Sequence, residues 1–256
     1  MITRSIVAVP PPGRGLHPYA RWIAAELRPG QSVLNVGAGR NHSGILRPVL
    51  RRSPYVVGID PDASINRNPT LDERHQQRLE DFAADNAERF DVVFSVYVLE
   101  HVTDPDRFLA ACAQVLRPGG VHFGLTLNMH QYFGLLTWAS SRLGVAEPLL
   151  RRMKGEETLA NYHFPTHYRL NSIGRLTRGL DRVGFGSVEF RCYDQSKRYA
   201  WYLPESLAWF STAYTRAVYA LHAPRLMGHL SFRAVLGGAD HEAVHPSGGA
   251  GREAGS

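Results

Sequence analysis

Val33-Leu34-Asn35-Val36-Gly37-Ala38-Gly39-Arg40-Asn41 is the stretch of sequence from which the fold can be read. An apolar run ends, and two glycines separated by one residue follow. This pattern is typical of a buried parallel strand that leads into a tight turn over a ligand. Glycine has no Cβ, so the backbone at Gly37 and Gly39 can approach a ligand closely and adopt positive φ. Alone, such a turn is a weak indication of a nucleotide-like cofactor, and the segments that follow strengthen it.

A second apolar strand begins at Val56, 21 residues after Asn35, and ends in the carboxylate of Asp60. An acidic residue about 20 positions beyond a glycine-rich turn is suitably placed to accept hydrogen bonds from both hydroxyls of an adenosine ribose. The structural alternative is that Asp60 only caps the turn Asp60-Pro61-Asp62. The two strands together predict a cofactor that contains adenosine.

Two further segments have the same character. They are Phe90-Asp91-Val92-Val93-Phe94-Ser95-Val96-Tyr97-Val98-Leu99-Glu100-His101-Val102 and Leu116-Arg117-Pro118-Gly119-Gly120-Val121-His122-Phe123-Gly124-Leu125. In this order the four motifs resemble the class I S-adenosylmethionine (SAM)-dependent methyltransferases, and most of all the small-molecule branch that includes ubiquinone- and menaquinone-pathway enzymes. The resemblance covers roughly residues 30–128. It implies an enzyme that binds SAM and methylates a small or carrier-borne acceptor, most readily at oxygen.

The resemblance also implies which residues contact the cofactor. Asp60 would bind the ribose, the glycine turn would pass beneath the methionine and ribose, and Leu79 and Glu80 would flank the adenine. The complete set of expected cofactor residues is Asn35, Gly37, Ala38, Gly39, Asp60, Pro61, Leu79, Glu80 and Ser95. Two positions depart from the family pattern: Asn35 stands where an acid is usual, and Asn41 stands where a third glycine is usual.

Histidines supply the candidate catalytic groups. His101 follows the fourth predicted strand and His130 the fifth, so either imidazole could take the acceptor's proton. The alternative for His101 is a structural hydrogen bond that holds its loop. The candidate acceptor-binding residues are Tyr132, His167, Tyr168 and Arg169. No metal site is expected, because Pro165 interrupts the helical spacing of His163 and His167.

Composition limits the possible partners. The formal net charge is +6, and between residues 121 and 236 basic groups outnumber acidic groups 14 to 7. An anionic acceptor, a phosphorylated carrier, peripheral contact with a membrane surface or ordinary solvated surface would each explain this excess. No nucleic-acid partner is expected, because the Asn/Asp-Pro-Pro-Tyr/Phe tetrad of base-amine methyltransferases is missing. No transmembrane run or leader is recognised, so a cytoplasmic location is expected.

Alternating strands and helices predict an α/β fold with a doubly wound, mainly parallel sheet. The resemblance implies that this sheet is seven-stranded and Rossmann-like, and a helical cap insertion is expected. The expected segments are an irregular N-terminal segment and helix at 1–30, a SAM-binding core at 31–128, a cap at 129–168, the end of the sheet with a helical region at 169–236, and a disordered tail at 237–256. Residues 206–236 are expected to be helical.

Two alternative functions stay open from the sequence. A nicotinamide-dependent oxidoreductase would use a similar turn and acid, although His42 occupies the position of its third glycine. A non-catalytic SAM-binding partner protein is the other alternative. The sequence leaves open the acceptor, the choice among oxygen, carbon and nitrogen, the identity of the base and the oligomeric state.

Overall fold

A computed structural model describes residues 2–13, 16–40, 44–50, 55–135, 166–196, 200, 203 and 205–237 of the 256-residue chain. Its centre is an eight-stranded sheet. The strands are β1 (Thr3–Ala8), β2 (Val33–Val36), β3 (Val56–Ile59), β4 (Glu73–His75), β5 (Phe90–Val96), β6 (Leu116–Leu127), β7 (Phe185–Tyr193) and β8 (His229–Leu236). The spatial order is β1-β7-β8-β6-β5-β2-β3-β4.

Most of this sheet is parallel. Strand β8 runs antiparallel to both of its neighbours, β6 and β7, whereas every other pairing is parallel. The strand order reverses between β2 and β5, and ligands bind at such a switch point in doubly wound sheets. The predicted fold class is therefore confirmed, with eight strands in place of seven.

The described helices cover both faces of the sheet. They are α1 (Pro18–Glu26), α2 (Arg47–Leu50), α3 (Leu79–Phe82), α4 (Pro105–Val115), α5 (Ile173–Arg182) and α6 (Ala208–Ala220). Helix α4 begins as the sequence predicts, since the Asp104 side chain accepts from Arg107 N–H and Pro105 occupies the first turn. None of the described helices is long and apolar enough to cross a membrane.

Side chains that alternate along the strands pack into two hydrophobic cores, one on each face of the sheet. On β5, Val93 packs into a large core on one face, while Val92 and Phe94 pack into a second core on the other. Tyr19 and Trp22 of α1 belong to the second core. Successive side chains point to opposite faces of a strand, and burial on both faces explains why the central strands are almost continuously apolar.

Two predictions about the ends of the chain are wrong. Residues 3–8 form β1, an edge strand parallel to β7, and not part of an irregular segment. Residues 229–236 form β8 in the interior of the sheet, so only the first part of the region predicted as helical contains a helix. Most of the predicted cap and nearly all of the predicted tail lie outside the described residues.

Candidate functional site

The glycine turn follows β2 directly. Gly37 has φ +67° and Gly39 has φ +40°, both in the left-handed region that favours glycine. The amides of Gly37 and Ala38 donate to the Ile59 carbonyl at 2.9 and 3.1 Å. These two bonds join the turn to the end of β3, so the turn and the acid that follows β3 form one unit.

Asp60 completes this unit. Its Oδ2 accepts from Gly39 N–H at 2.9 Å, and its Oδ1 accepts from Asp62 N–H at 2.8 Å. Burial raises the pKa of this carboxyl, and the two backbone donors partly offset that effect. Each carboxylate oxygen can accept more than one hydrogen bond. The side chain is therefore held in one orientation and keeps the capacity to accept from two ligand hydroxyls.

Asn68 stabilises the glycine turn through a hydrogen bond from its side chain to the backbone of the turn. This side chain is buried, and its Nδ2 donates to the Ala38 carbonyl at 3.0 Å. Arg74 in turn donates two hydrogen bonds to the Asn68 carbonyl, at 3.1 and 2.7 Å. No local sequence pattern marks either residue, because it is a short 3₁₀ turn, Ala63–Arg67, that brings Asn68 back beneath the glycine turn.

The other expected cofactor residues lie along the same edge of the sheet. Asn35 and Ala38 are buried, at 6% and 5% exposure, while Pro61 is exposed. Leu79 is buried at the first position of α3, and Glu80 beside it is half-buried. All of them lie at or directly after the carboxyl ends of β2, β3 and β4, as the predicted cofactor edge requires.

The end of β5 closes this part of the site. Ser95 is fully buried, and its Oγ has no hydrogen-bond partner within the described part of the chain. Beyond it, Tyr97 has φ +56°, an uncommon conformation for a bulky residue, and its amide donates to Leu125 O at 2.8 Å. Val98 then meets the glycine turn: a Cβ on Gly37 would lie 2.2 Å from Val98 Cγ2.

This last contact shows what a side chain at Gly37 would meet. It would collide with Val98 and would require a left-handed backbone. Substitution of Gly37 therefore perturbs the fold as well as the site.

His101 belongs to the 3₁₀ turn Leu99–His101, which a buried polar network holds in place. Glu100 Oε2 accepts from Thr126 Oγ1 at 2.8 Å, and Asn171 Nδ2 donates to Thr126 Oγ1 at 2.6 Å. All three of these side chains are buried. The network joins the end of β5 to the end of β6 and to the segment before α5, while His101 itself is half-buried.

The other residues proposed for the acceptor side differ in how far they are exposed. His130 is exposed in the turn after β6, and His167 is half-buried. Tyr168 is only 3% exposed and has φ +51°, and its carbonyl accepts from Arg175. Arg169 is exposed and donates to the Thr103 carbonyl at 2.6 Å.

Tyr132 takes part in a different cluster. Its hydroxyl donates to Ser211 Oγ at 2.9 Å, and its ring makes edge contacts with Phe210 and Tyr214 on α6. Burial is the main reason why the pKa of Tyr132 is raised. Helix α6 thus lies next to one of the residues predicted to bind the acceptor.

A second group at this edge had no signal in the sequence. His17 caps α1, accepting from Tyr19 N–H at 3.1 Å through Nδ1, and its Nε2 lies 2.9 Å from Tyr193 Oη. Tyr193 stacks on His229 with centroids 4.5 Å apart. The three come from α1, β7 and β8, which are far apart in sequence, and no local pattern links them.

Comparison with known proteins identifies the family. Residues 14–189 match the family described as methyltransferase domain. The chain belongs to this family. The match confirms the resemblance inferred from the four motifs and confirms SAM as the expected cofactor. It also removes the reason for the nicotinamide-dependent alternative.

The curated relatives of this methyltransferase-family chain share part of its length. The human mitochondrial ubiquinone biosynthesis O-methyltransferase is 40% identical over 114 residues, which covers 40% of this chain and 30% of that protein. The ubiquinone biosynthesis O-methyltransferase of Nitrobacter winogradskyi is 32% identical over 175 residues, covering 62% of this chain and 58% of the relative. The chain thus spans less than two thirds of these relatives.

A solved structure supports the fold. The SAM-dependent methyltransferase of Mesorhizobium loti superimposes with a TM-score of 0.51 at 20% identity, covering 86% of this chain and 100% of that one. At this identity the likeness shows the shared fold alone.

Three features of the site fit SAM. The Asp60 carboxylate is already oriented by two backbone donors. Gly39 presents backbone without a side chain directly beside Asp60 Oδ2, where a Cβ would lie 3.5 Å from that oxygen. The buried Ser95 Oγ is available to a polar group of a ligand. The residues present are therefore compatible with the family's cofactor.

Proposed function

We propose that the protein is a SAM-dependent methyltransferase that transfers a methyl group to a hydroxyl oxygen of a small or carrier-borne acceptor. The observation that carries this proposal is the bond between Gly39 N–H and Asp60 Oδ2 at the carboxyl ends of β2 and β3, next to the switch point of the sheet, in a chain of the methyltransferase-domain family. The choice of oxygen is supported by the names of the relatives, which are O-methyltransferases of ubiquinone biosynthesis.

In the proposed complex, Asp60 accepts from the ribose hydroxyls, and the turn from Gly37 to Gly39 lies against the methionine and ribose. Leu79 and Glu80 flank the adenine. When bound, SAM supplies an electrophilic methyl group on a positively charged sulfur. The chain's own contribution is to hold the cofactor and the acceptor in line, because orientation accounts for much of the rate in such transfers.

The acceptor hydroxyl must lose a proton as its oxygen takes the methyl group. We propose His101 or His130 as the group that receives this proton. The half-buried position of His101, on a turn held by the Glu100–Thr126–Asn171 network, supports His101. His130 is more exposed but lies directly after β6.

The acceptor would enter over the carboxyl ends of β5 and β6, beneath the proposed cap at 129–168. Tyr132, His167 and Arg169 are the proposed contacts, whereas the expected contact Tyr168 is buried. The Arg169 guanidinium donates to a carbonyl through one nitrogen and has further donors for a carboxylate or phosphate on the acceptor. A small-molecule acceptor is supported by the relatives' names. A cytoplasmic location is also proposed for this chain, whereas the human relative is mitochondrial.

Two measurements test this function. A thermal-shift assay with SAM, S-adenosylhomocysteine and NADPH should give stabilisation by the first two alone, growing with RT ln(1 + [L]/Kd). Transfer of labelled methyl to a panel of phenolic and catechol acceptors should then detect turnover. His101→Ala and His130→Ala should separate the two histidines: the variant of the base loses kcat while its affinity for S-adenosylhomocysteine is kept.

Stabilisation by NADPH in place of SAM would refute the cofactor. Binding of SAM without turnover of any hydroxyl, amine or carbon acceptor would favour a non-catalytic SAM-binding protein. Labelled product on amines alone would move the proposal from oxygen to nitrogen.

A further inference from the structure

Helix α6 presents its apolar side chains outward. The exposed positions between Ala208 and Ala220 are Trp209, Phe210, Thr212, Ala213, Arg216, Ala217 and Ala220. Five of these seven are apolar, whereas the outer face of a surface helix is normally polar. The outer side of this helix is thus more apolar than usual, while Val218 on its inner side packs into the large core.

Two hydroxyl groups of α6, those of Ser211 and Thr215, point inward and are bonded there. Ser211 is fully buried, and its Oγ donates to the Ser196 carbonyl at 2.7 Å. Thr215 Oγ1 donates to the carboxylate of Asp194, which is itself 1% exposed and also accepts from Gly228 N–H at 2.8 Å. These inward bonds fix the rotation of the helix, so its apolar arc cannot turn toward the core without breaking them.

The exposed apolar side chains are concentrated in this region. Eight large hydrophobic side chains are exposed in the described part of the chain, and five of them lie between Leu207 and Leu226. Trp209 is 64% and Leu221 is 77% exposed. Concentrations of this kind on a soluble surface indicate a place that another body covers. We call the surface formed by Leu207, Trp209, Phe210, Ala213, Ala217, Ala220 and Leu221 the α6 face.

Charge decides among the possible occupants. Residues 206–228 contain Arg216 and Arg225 and no Asp or Glu. A second copy of the chain would bring the same two arginines and no carboxylate from this segment to the contact, whereas a negatively charged surface would attract both arginines. Tryptophan, phenylalanine and leucine beside arginine are the residues with which interfacial helices enter an anionic lipid surface.

We propose that the α6 face docks on an anionic lipid surface. The helix would lie in the plane of the interface, with Trp209 and Leu221 among the acyl chains and Arg216 at the headgroups. The inner side of the same helix contacts Tyr132 through Ser211 and Tyr214, next to the acceptor side of the sheet. Resting on the proposed function, docking would bring the acceptor entrance to the membrane surface. The binding itself does not depend on that function.

Co-sedimentation with vesicles tests the proposal. The full chain is mixed with vesicles of phosphatidylcholine alone or of phosphatidylcholine with phosphatidylglycerol. The wild type should bind the anionic vesicles, and salt should weaken the binding. Trp209→Ser/Leu221→Ser should reduce binding at least about tenfold, because the affinity of an interfacial helix grows with its buried apolar area. Tyr55→Ser is the matched control, since Tyr55 is 46% exposed beside the opposite edge of the sheet.

Stabilisation by S-adenosylhomocysteine should be the same in all three proteins, and this readout separates a lost surface from a misfolded chain. Absence of wild-type binding to anionic vesicles would overturn the proposal, as would equal binding by the double variant. Equal binding to neutral vesicles would overturn the role of charge. A dimer in analytical ultracentrifugation that the double variant converts to a monomer would assign the α6 face to a second copy of the chain instead.

Discussion

Asp60→Ala is expected to weaken cofactor binding by roughly a hundredfold. In the proposed complex the carboxylate accepts from both ribose hydroxyls, and charge-assisted hydrogen bonds contribute roughly 1.5–3 kcal/mol each. Loss of about 3 kcal/mol corresponds to about two decades in Kd. The variant also leaves the amides of Gly39 and Asp62 without their acceptor. Water can replace it in part, so about 1–2 kcal/mol of stability should be lost.

Asp72→Ala separates these two effects. Asp72 Oδ2 accepts from Val56 N–H at 2.7 Å, so this carboxylate caps the other end of the strand that Asp60 follows. Both variants should lower the melting temperature, by roughly 2–4 °C for each kcal/mol lost. Only Asp60→Ala should weaken the binding of S-adenosylhomocysteine, measured by isothermal titration calorimetry. Equal affinity in the two variants, within about threefold, would refute the ribose assignment.

The same carboxylate predicts a pH dependence of binding. Burial raises the pKa of Asp60, and its ionised form is the one that accepts from two hydroxyls. A proton then competes with the cofactor, so affinity should fall as pH drops through the raised pKa, at a less acidic pH than for an ordinary aspartate. Asp60→Ala should lack this acidic decline. A wild-type affinity that stays constant over the same range would contradict the reasoning.

Three further predictions concern the surrounding structure. Gly37→Ala should destabilise the fold, because its Cβ would lie 2.2 Å from Val98 Cγ2, and Val98→Ala should restore part of the loss in a double-mutant cycle of urea melts. Thr126→Val should lower the free energy of unfolding by about 2–3 kcal/mol, because the buried Glu100 carboxylate loses the hydrogen bond from Thr126. Amide hydrogen exchange should increase in the segment after β6, and unchanged exchange would contradict the role of the network. Burial lowers the pKa of His122 from 6.5 to about 3. Between these two pH values the unfolded chain binds a proton at His122 that the folded chain does not bind. Stability should therefore fall by roughly 1.4 kcal/mol for each pH unit of acidification in this range. His122→Leu should lack this component in melts at pH 7 and 5.

The cofactor half of the site could be predicted because its information is local. The glycine turn, the acid and the residues after β4 each follow a strand directly, and parallel strands bring their carboxyl ends to one edge. Strands β2, β3 and β5 lie in the apolar stretches that begin at Val33, Val56 and Phe90 in the sequence.

The ends of the sheet could not be predicted in the same way. Strand β8 lies between β6 and β7 and is buried on both faces, so it lacks the alternation that would distinguish a strand from a helix. Strand β1 is largely exposed, and its pairing with β7 joins residues more than 180 positions apart. Its strand conformation follows from that distant partner more than from local propensity.

The acceptor side depends on long-range contacts as well. The Glu100–Thr126–Asn171 network joins three segments, and the stacked pair of Tyr193 and His229 joins two strands. Each residue alone is compatible with an ordinary loop or strand end. Tyr168 shows that local composition does not predict exposure. Its position in a cluster of aromatic and histidine residues suggests an acceptor contact, yet the residue is buried.

Strand register explains why the local signal was sufficient at the turn. Val36 is paired with Ile59, so the next residues, Gly37 and Asp60, leave their strands at the same level of the sheet. A shift of β3 by one residue would displace Asp60 by about 3.3 Å and reverse its face. Neither the bond to Gly39 nor the two bonds from the turn to the Ile59 carbonyl would survive that displacement. The distance in sequence between the turn and the acid can vary with the connecting loop, whereas their relative position in space is determined by the β2–β3 register.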